Sequence, residues 1–309
     1  MKENLRIGIT GGLGFIGIGL RKQINRRVVF ISRELPKNAL KPTETCLVGS
    51  FINPEIREEF VKNIDVLIHA ASLVGPRSSY DSLIIENDLV GTIDLAKAFF
   101  AKNPNGHFIF LSTSGGLYDL GNPDEKSEES ELFPDNLYGS IKMCIENFLE
   151  EKVKKNGVVT ILRPAPIYGD SLKKNQTNGL IDKLLRSTLS EDPTLKVSIF
   201  DKMESSRDYL HIDDLVEAID LVIDRDQKSR FEVYNIGTGI GTSIEKVLHI
   251  VNAISSKRPV YEILQVDKPA SYLTLNSDKI FKEIGWKPKV SLLEGVLKMY
   301  RDLKKIILQ

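Results

Sequence analysis

Two groups of residues in this chain have the types and spacing to do chemistry. The first is a glycine cluster, Gly11, Gly12, Gly14 and Gly17, inside LRIGITGGLGFIG at Leu5 to Gly17. Glycines let a backbone turn sharply and approach a pyrophosphate closely. The start of the following helix offers unpaired N–H groups and a partial positive charge to that anion. The second group is the hydroxyl run Ser112-Thr113-Ser114, followed downstream by Tyr138 and Lys142. A Tyr and a Lys four apart lie on one helical face. An ammonium beside a phenol favours the phenolate and draws the Tyr pKa down from about 10, so the group can act as acid or base near neutrality. Singly, each signal is weak. The glycine spacing is G-x-x-G-x-x-G rather than G-x-G-x-x-G, and it also fits a tight strand-to-helix turn with no ligand. A Y-x-x-x-K pair also fits a solvated helix surface. The order gives them force together: glycine turn first, hydroxyls after a fifth strand next, Tyr and Lys last.

The elements that must position these residues can be read from the pattern. Leu5, Ile7 and Ile9 form a short buried strand, and Phe15, Ile16, Ile18 and Leu20 open an apolar helix. Val28 to Ile31 is a second strand, ending at Ser32-Arg33. In an NAD site an acid near this point accepts the ribose 2′-OH. No acid stands at this tip, and Glu34 comes two residues later. Ser32 and Arg33 suit a 2′-phosphate instead, which favours NADP; a plain surface arginine is the alternative. Cys46 to Val48 is a weak third strand, and Asn53 to Lys62 a helix with Pro54 at its start. Asp65 to His69 is the fourth strand, followed by Ala70-Ala71-Ser72, small residues that let the backbone lie against a cofactor. His69 reads as a packed strand-end residue, and no metal site is expected. A long helix runs from about Leu83 to Lys102 and contains Asn87. His107 to Leu111 is the fifth strand, and the acidic segment Gly121 to Asp135 reads as a loop. Alternating strands and helices give an α/β chain, a Rossmann-like doubly wound parallel sheet.

Composition narrows the class. The chain has 309 residues, 41% hydrophobic and 27% charged, an ordinary globular make-up. Lys plus Arg equals Asp plus Glu, 42 each, which argues against a chain-wide footprint for nucleic acid or an anionic membrane. No apolar run approaches a membrane span. The start, MKENLRIG, enters a strand directly rather than through a signal peptide. Cys46 and Cys144 sit among apolar residues without CxxC spacing and read as buried inert thiols. A cytoplasmic location is expected.

With these residues in view, the sequence resembles the extended short-chain dehydrogenase/reductase family, in its nucleotide-sugar epimerase/dehydratase branch. The motifs run along nearly the whole chain: TGGLGFIG at Thr10 to Gly17, HAAS at His69 to Ser72, STSGGLY at Ser112 to Tyr118, YGSIK at Tyr138 to Lys142 and LRPAPIYG at Leu162 to Gly169. Further on come RDYLHIDD at Arg207 to Asp214, YNIGTG at Tyr234 to Gly239 and EIGWKP at Glu283 to Pro288. The resemblance implies catalytic roles for Ser114, Tyr138 and Lys142, with Lys142 also holding the nicotinamide ribose. It implies a dinucleotide site from Gly11, Gly14, Phe15, Ile16, Gly17, Ser32, Arg33, Ala70, Ala71, Ser72, Asn87, Tyr138, Lys142 and Pro164. Ser114, Tyr138, Arg207, Lys268 and, more loosely, Asn178 would meet a nucleotide-diphosphate sugar.

The resemblance also sets the wider expectations. A nucleotide-binding domain spans 1–168 with about 207–240, and 169–206 with 241–309 forms a smaller α/β substrate domain. The cleft between domains would be the ligand site. Helices 83–102 and 138–154 would form a four-helix homodimer interface, with packing inside the monomer as the alternative. The activity is hydride transfer at sugar C4, as a 4-epimerase or 4-ketoreductase of the kind that serves cell-surface polysaccharide precursors. Dehydratases of this branch carry an acidic pair after the catalytic hydroxyl; here Gly115-Gly116 stand there, which argues against dehydration. Pro166 replaces a common Asn, and Lys268-Pro269-Ala270-Ser271 departs from an RPGD-like segment. The reading from another class is a non-catalytic NADP-binding regulatory protein. Such relatives usually lose the Tyr or the Lys, and both are present here.

Overall fold

The computed structural model describes residues 5–75, 78, 81–154, 157–169, 179–192, 194–225, 229–264 and 267–307. In chain order the first elements are β1 (Arg6–Thr10), α1 (Phe15–Gln23), β2 (Arg27–Ser32), β3 (Glu44–Val48), α2 (Pro54–Phe60) and β4 (Val66–His69). Next come a short turn α3 (Ser82–Ile84), a π-helical turn (Ile85–Val90), α4 (Gly91–Lys102), β5 (His107–Leu111), α5 (Leu137–Val153) and β6 (Val158–Pro164). After these follow β7 (Ile167–Tyr168), α6 (Gly179–Leu189), β8 (Val197–Ile199), β9 (Ser206–Asp208), β10 (Leu210–His211) and α7 (Ile212–Asp224). The last are β11 (Phe231–Ile236), β12 (Gly241–Ser243), α8 (Ile244–Ile254), β13 (Tyr261–Ile263), β14 (Tyr272–Leu273), α9 (Asp278–Ile284) and α10 (Leu292–Ile307).

Seven strands make the main sheet, in the order β11-β6-β5-β4-β1-β2-β3. The pairs β1–β2, β1–β4, β2–β3, β4–β5 and β5–β6 are all parallel. Bonds Val159 N to Arg230 O and Ala165 N to Ile236 O show that β11 runs the same way as β6. Parallel strands covered on both faces read as continuous apolar runs. Every residue of β4 and of β5 is buried accordingly. Strand order reverses between β1 and β4, whose last residues Thr10 and His69 are register partners. Ligands of open α/β sheets bind outside such a switch point. The glycine turn leaves β1 there, and Ala70-Ala71-Ser72 leaves β4 beside it.

Local chemistry explains the helices that matter. Asn53 caps α2 by accepting from Glu55 N and Ile56 N, with Pro54 in the first turn. Asn136 caps α5 by accepting from Gly139 N at 2.9 Å. The long helix expected over Leu83 to Lys102 is interrupted by the π-helical turn, where an extra residue enters the helical repeat. The structure also corrects one thiol: Cys46 is half-buried but Cys144 is exposed. On α5 the buried stripe runs through Ile141, Lys142, Ile145, Glu146 and Leu149, and position 144 falls off it.

The chain forms two compact units. The first holds residues 1–118, 131–163 and 216–234; the second holds 119–130, 164–215 and 235–309. The sequence reading assigns 119–130, 164–168, 207–215 and about 235–240 to the nucleotide-binding part, whereas the compact units group them with the second. The core of the first unit includes Phe99, Phe100, Phe108, Phe110, Ile145 and Leu149. In the second, α6, α8 and α10 pack together around Leu184, Leu185, Val247, Val251, Met299 and Leu303. Among the described residues no helix is long and apolar enough to cross a membrane.

Candidate active site

The glycine turn is held by its own backbone. Gly14 N donates to Gly11 O at 2.8 Å, and Gly11 takes φ 69°, in the left-handed region that favours glycine. A Cβ on Gly17 would stand 2.2 Å from Gly11 O, so the first turn of α1 can lie on the loop only without a side chain. Gly14 caps α1 without a side-chain hydrogen bond, and among the described residues no side chain is seen to take the helix's first free N–H groups. Phe15 and Ile16 open the helix. A bare, positively polarised helix start behind a glycine loop fits a pyrophosphate.

The β4 end is fixed by a buried hydrogen-bond chain. Thr10 Oγ1 accepts from Ala70 N at 3.1 Å and Ala71 N at 3.2 Å. Its single proton therefore goes to His69 Nδ1, 2.8 Å away. His69 is thus the Nε2–H tautomer and donates to Thr92 Oγ1 at 3.0 Å. Burial, and then the Lys142 charge, push its pKa down to about 3, so the ring is neutral. His69 is the packed strand-end residue expected, and its work is to hold the Ala70-Ala71 turn. Ser72 continues the turn by donating to Asp88 at 2.6 Å. At the end of β2, Ser32 Oγ accepts from Glu34 N at 3.3 Å, and Arg33 is exposed.

The hydroxyl run leaves β5 into the interior: Ser112, Thr113 and Ser114 are all buried. A Cβ on Gly139 would stand 1.7 Å from Gly116 O, so a bare glycine lets the 115–116 loop close onto the start of α5. That contact brings Tyr138 to the hydroxyls. Its phenol shares a hydrogen bond with the Thr113 side chain. Ser114 is fully enclosed, and its carbonyl accepts from Leu117 N and Tyr118 N, both at 3.1 Å. Lys142 Nζ lies 5.8 Å from the Tyr138 ring centre and 4.7 Å from that of Phe110, and donates to Leu111 O at 3.1 Å.

The proton states differ from the sequence expectation. Tyr138 is pushed up, not down: burial dominates, the Thr113 bond opposes it, and Asp88 adds to it. Burial brings Lys142 down to about 8, against the upward pull of Asp88 and Glu146. Desolvation of a phenol outweighs an ammonium that faces a carbonyl instead of the phenol oxygen.

Below Lys142 lies a network that the sequence reading did not single out. Glu146, one further turn along α5, takes bonds from Arg163 Nη2 at 2.6 Å and Nε at 3.2 Å, and one from Ser112 Oγ. Arg163 Nη1 donates to Tyr118 OH at 3.0 Å. Burial works against the Arg163 charge, but Glu146 and Tyr118 hold its pKa above the ordinary arginine value. The Tyr138, Lys142, Glu146 spacing was a legible signal for Glu146, since residues four apart share a face. Asp88, on the π-helical turn, accepts from Ser72 Oγ, from Leu73 N at 2.8 Å and from Val74 N at 2.9 Å. Asn87 precedes it and is half-buried. Pro164 ends β6 and is buried.

In the second unit Arg207 sits on β9. Its Nη1 donates to Ser206 O and Ser271 O, both at 2.8 Å, and its Nη2 to Ser271 Oγ at 2.6 Å and Asp201 Oδ2 at 2.9 Å. Asp201 is held below the usual carboxylate range: burial acts upward, but bonds from Ser205 and Ser271 and the charges of Arg207 and Lys268 outweigh it. Arg207 and exposed Lys268 thus gather around one carboxylate that sequence reasoning missed. Asn178 lies outside the described residues.

A switch-point glycine loop, an uncapped helix start and a hydroxyl–Tyr–Lys set in one unit define a dinucleotide-dependent oxidoreductase class. The family model described as the NAD dependent epimerase/dehydratase family matches residues 7–237. The chain belongs to that family. It is 28% identical to the dTDP-4-dehydro-6-deoxyglucose reductase of Escherichia coli, over 96% of each chain. Among solved structures it is similar to UDP-glucose 4-epimerase from Thermotoga maritima with UDP-glucose, with TM-score 0.84 and 26% identity over 97% of this chain and 99% of that one. UDP-glucuronic acid 4-epimerase from Bacillus cereus, in complex with UDP-glucuronic acid and NAD, shares the fold with TM-score 0.85 and 23% identity over 97% and 99%.

Proposed function

We propose that the chain is an NAD(P)-dependent oxidoreductase of a nucleotide-diphosphate sugar, acting at sugar C4 in the net direction of ketone reduction. The observation that carries this reading is Tyr138, partly buried against the core of the first unit, bonded to the Thr113 side chain and with its pKa raised. A phenol that keeps its proton at neutral pH is a proton donor in waiting. The dinucleotide, when bound, supplies the hydride. Tyr138 gives its proton to the carbonyl oxygen, Ser114 and Thr113 orient that oxygen, and Lys142 holds positive charge beneath the phenol as it ionises. Gly11, Gly14, Phe15, Ile16 and Gly17 hold the pyrophosphate side; Ala70, Ala71, Ser72, Asn87 and Pro164 serve the remainder of the cofactor. Arg207 and Lys268 bind the substrate diphosphate as cations.

NADP is the cofactor favoured by this reading, because Ser32 and exposed Arg33 stand where an NAD site usually has an acid. The second reading is a 4-epimerase with retained NAD, supported by the 4-epimerase from Thermotoga maritima among its relatives. Such an enzyme uses the same groups twice, oxidising and then reducing the other sugar face. The protein as a homodimer in the cytoplasm completes the proposal, and the mass in solution checks the dimer. The deciding experiment is to identify any dinucleotide that copurifies and to titrate NADPH and NADH by fluorescence. Preference for NADPH with none retained supports the reductase. Retained NAD overturns that direction and favours the epimerase. Binding of neither overturns the cofactor assignment itself.

A further inference from the structure

Asp88 is a buried acid of the first unit that the proposed chemistry leaves without a task. It sits on the π-helical turn Ile85–Val90, which packs against α5. π-turns place an extra residue in the helix and recur at functional sites. Here the turn aims a carboxylate at the loop that leaves β4. Oδ2 accepts from Ser72 Oγ at 2.6 Å and from Val74 N at 2.9 Å, and Leu73 N is shared between Oδ1 and Oδ2 at 2.8 and 2.9 Å. Three successive residues of the loop are thereby tied to one side chain.

We propose that Asp88 is a positioning residue that joins the two halves of the site: its carboxylate clamps loop 72–74 on the dinucleotide side, and its charge balances the buried Lys142 ammonium on the proton-handling side. This deepens the oxidoreductase reading and rests on it. Among the described residues, the polar groups acting on or bonded to Lys142 come from three elements besides its own helix. Asp88 comes from the π-turn, Glu146 and Tyr138 from α5 itself, neutral His69 from β4 and the Leu111 carbonyl from β5. Glu146 is already shared with Arg163 of β6. Asp88 therefore remains as a carboxylate whose partners are neutral donors, with its charge uncommitted to any cation by a direct bond among those contacts. That charge acts in the same direction on both partners, raising Lys142 and raising Tyr138.

Asp88→Asn separates the two tasks. It keeps an acceptor for the loop and removes the charge. Asp88→Ala removes both. Two measurements read them: dinucleotide titration by fluorescence, and the 13Cζ shift of Tyr138 against pH in tyrosine-labelled protein, assigned with Tyr138→Phe. Asp88→Ala should weaken dinucleotide binding by about tenfold or more, while Asp88→Asn stays within about threefold. Asp88→Asn should lower the Tyr138 midpoint and shift any pH–rate profile the same way. A merely structural role would leave the midpoint where it is. An unchanged midpoint in Asp88→Asn overturns the charge role, and wild-type binding by Asp88→Ala overturns the clamp. If Asp88→Ala does not fold, Asp88→Asn decides the charge role by the midpoint, and Asp88→Ser, too short to reach all three loop donors, decides the clamp by the same dinucleotide titration. The titration needs neither substrate nor turnover. Failure of the wild type to act on any nucleotide sugar would overturn the functional reading and leave this result standing.

Discussion

The two units each gather cations and carboxylates, and they do so differently. In the first, Arg163 and Glu146 pair at 2.6 Å with side-chain exposures of 7% and 5%. In the second, Arg207 and Asp201 pair at 2.9 Å with 23% and 16%. The buried pair is tied in further by Ser112, which donates to Glu146, and by Tyr118, which accepts from Arg163. Around it burial governs proton states, raising Tyr138 and lowering Lys142. The half-exposed pair is looser, and Lys268 beside it is exposed. Chemistry on a proton needs groups fixed in a dry setting. Capture of a charged ligand needs cations that water can still reach. The contrast fits a division between reacting and holding.

The contrast breaks first at Tyr138. Tyr138→Phe removes one oxygen, the one that shares a bond with Thr113. Turnover should fall about 10²–10⁴-fold while dinucleotide affinity is retained. Steady-state kinetics beside a fluorescence titration check both. Unchanged turnover would mean that Tyr138 is not the proton donor and would move the reacting site elsewhere.

Glu146→Ala comes next. It leaves Arg163 buried without its partner, which should cost about 3–5 kcal/mol of stability by urea unfolding. The double variant Glu146→Leu with Arg163→Met should recover much of that loss, because replacing both charges with apolar bulk removes the desolvation cost. A loss below about 1 kcal/mol in the single variant would mean the pair behaves like a surface pair.

Lys142 gives a pH signature. Its folded pKa, about 8, is below the ordinary 10.5, so between these values the unfolded chain binds more protons than the folded one. Stability from this group therefore rises with pH above about 8. Tyr138 works the other way above its ordinary 10.0, since its folded pKa is raised. The clean window is thus pH 8 to 10. Relative to Lys142→Met, wild-type stability should climb there by on the order of 1 kcal/mol per pH unit. Parallel unfolding free energies across that range would show that Lys142 is solvated.

Much of this was legible in the sequence, and the gaps have physical causes. The strand runs Val28 to Ile31 and His107 to Leu111 carry their own signal, because strands buried on both faces are continuously apolar. Pro54 after Asn53 marks its helix start by capping chemistry. Asp88 was hidden because helical periodicity assumes an unbroken repeat, and the π-turn shifts the register there. Thr113 was hidden behind Ser114, since a run of hydroxyls does not say which one a phenol on another element will reach. Asp201 carries no local pattern; Ser271, Arg207 and Lys268 meet it only through the fold. The strands of the second unit are two or three residues long, such as β7 and β9, too short for period-two alternation to register.

The smallest effect is the sharpest test of the comparison, at Asp201. Asp201→Asn removes the charge but keeps one acceptor oxygen for Ser271 and Arg207, which share Oδ2, and turns an amide N–H2 toward Ser205 Oγ in place of Oδ1. Arg207 retains the carbonyls of Ser206 and Ser271, so no buried cation is stranded. The loss should be less than about 1 kcal/mol, and it should shrink with added salt, as for a pair that water reaches. Its pH sign is fixed by direction: the Asp201 pKa is lowered from 3.8, so the contribution is full above that value and disappears as pH falls below it. Unfolding of wild type and Asp201→Asn at neutral pH and near pH 3, at low and high salt, reads both features. A loss as large as that of Glu146→Ala would mean that exposure does not separate the two clusters, and the division between a reacting region and a holding region would lose its physical basis.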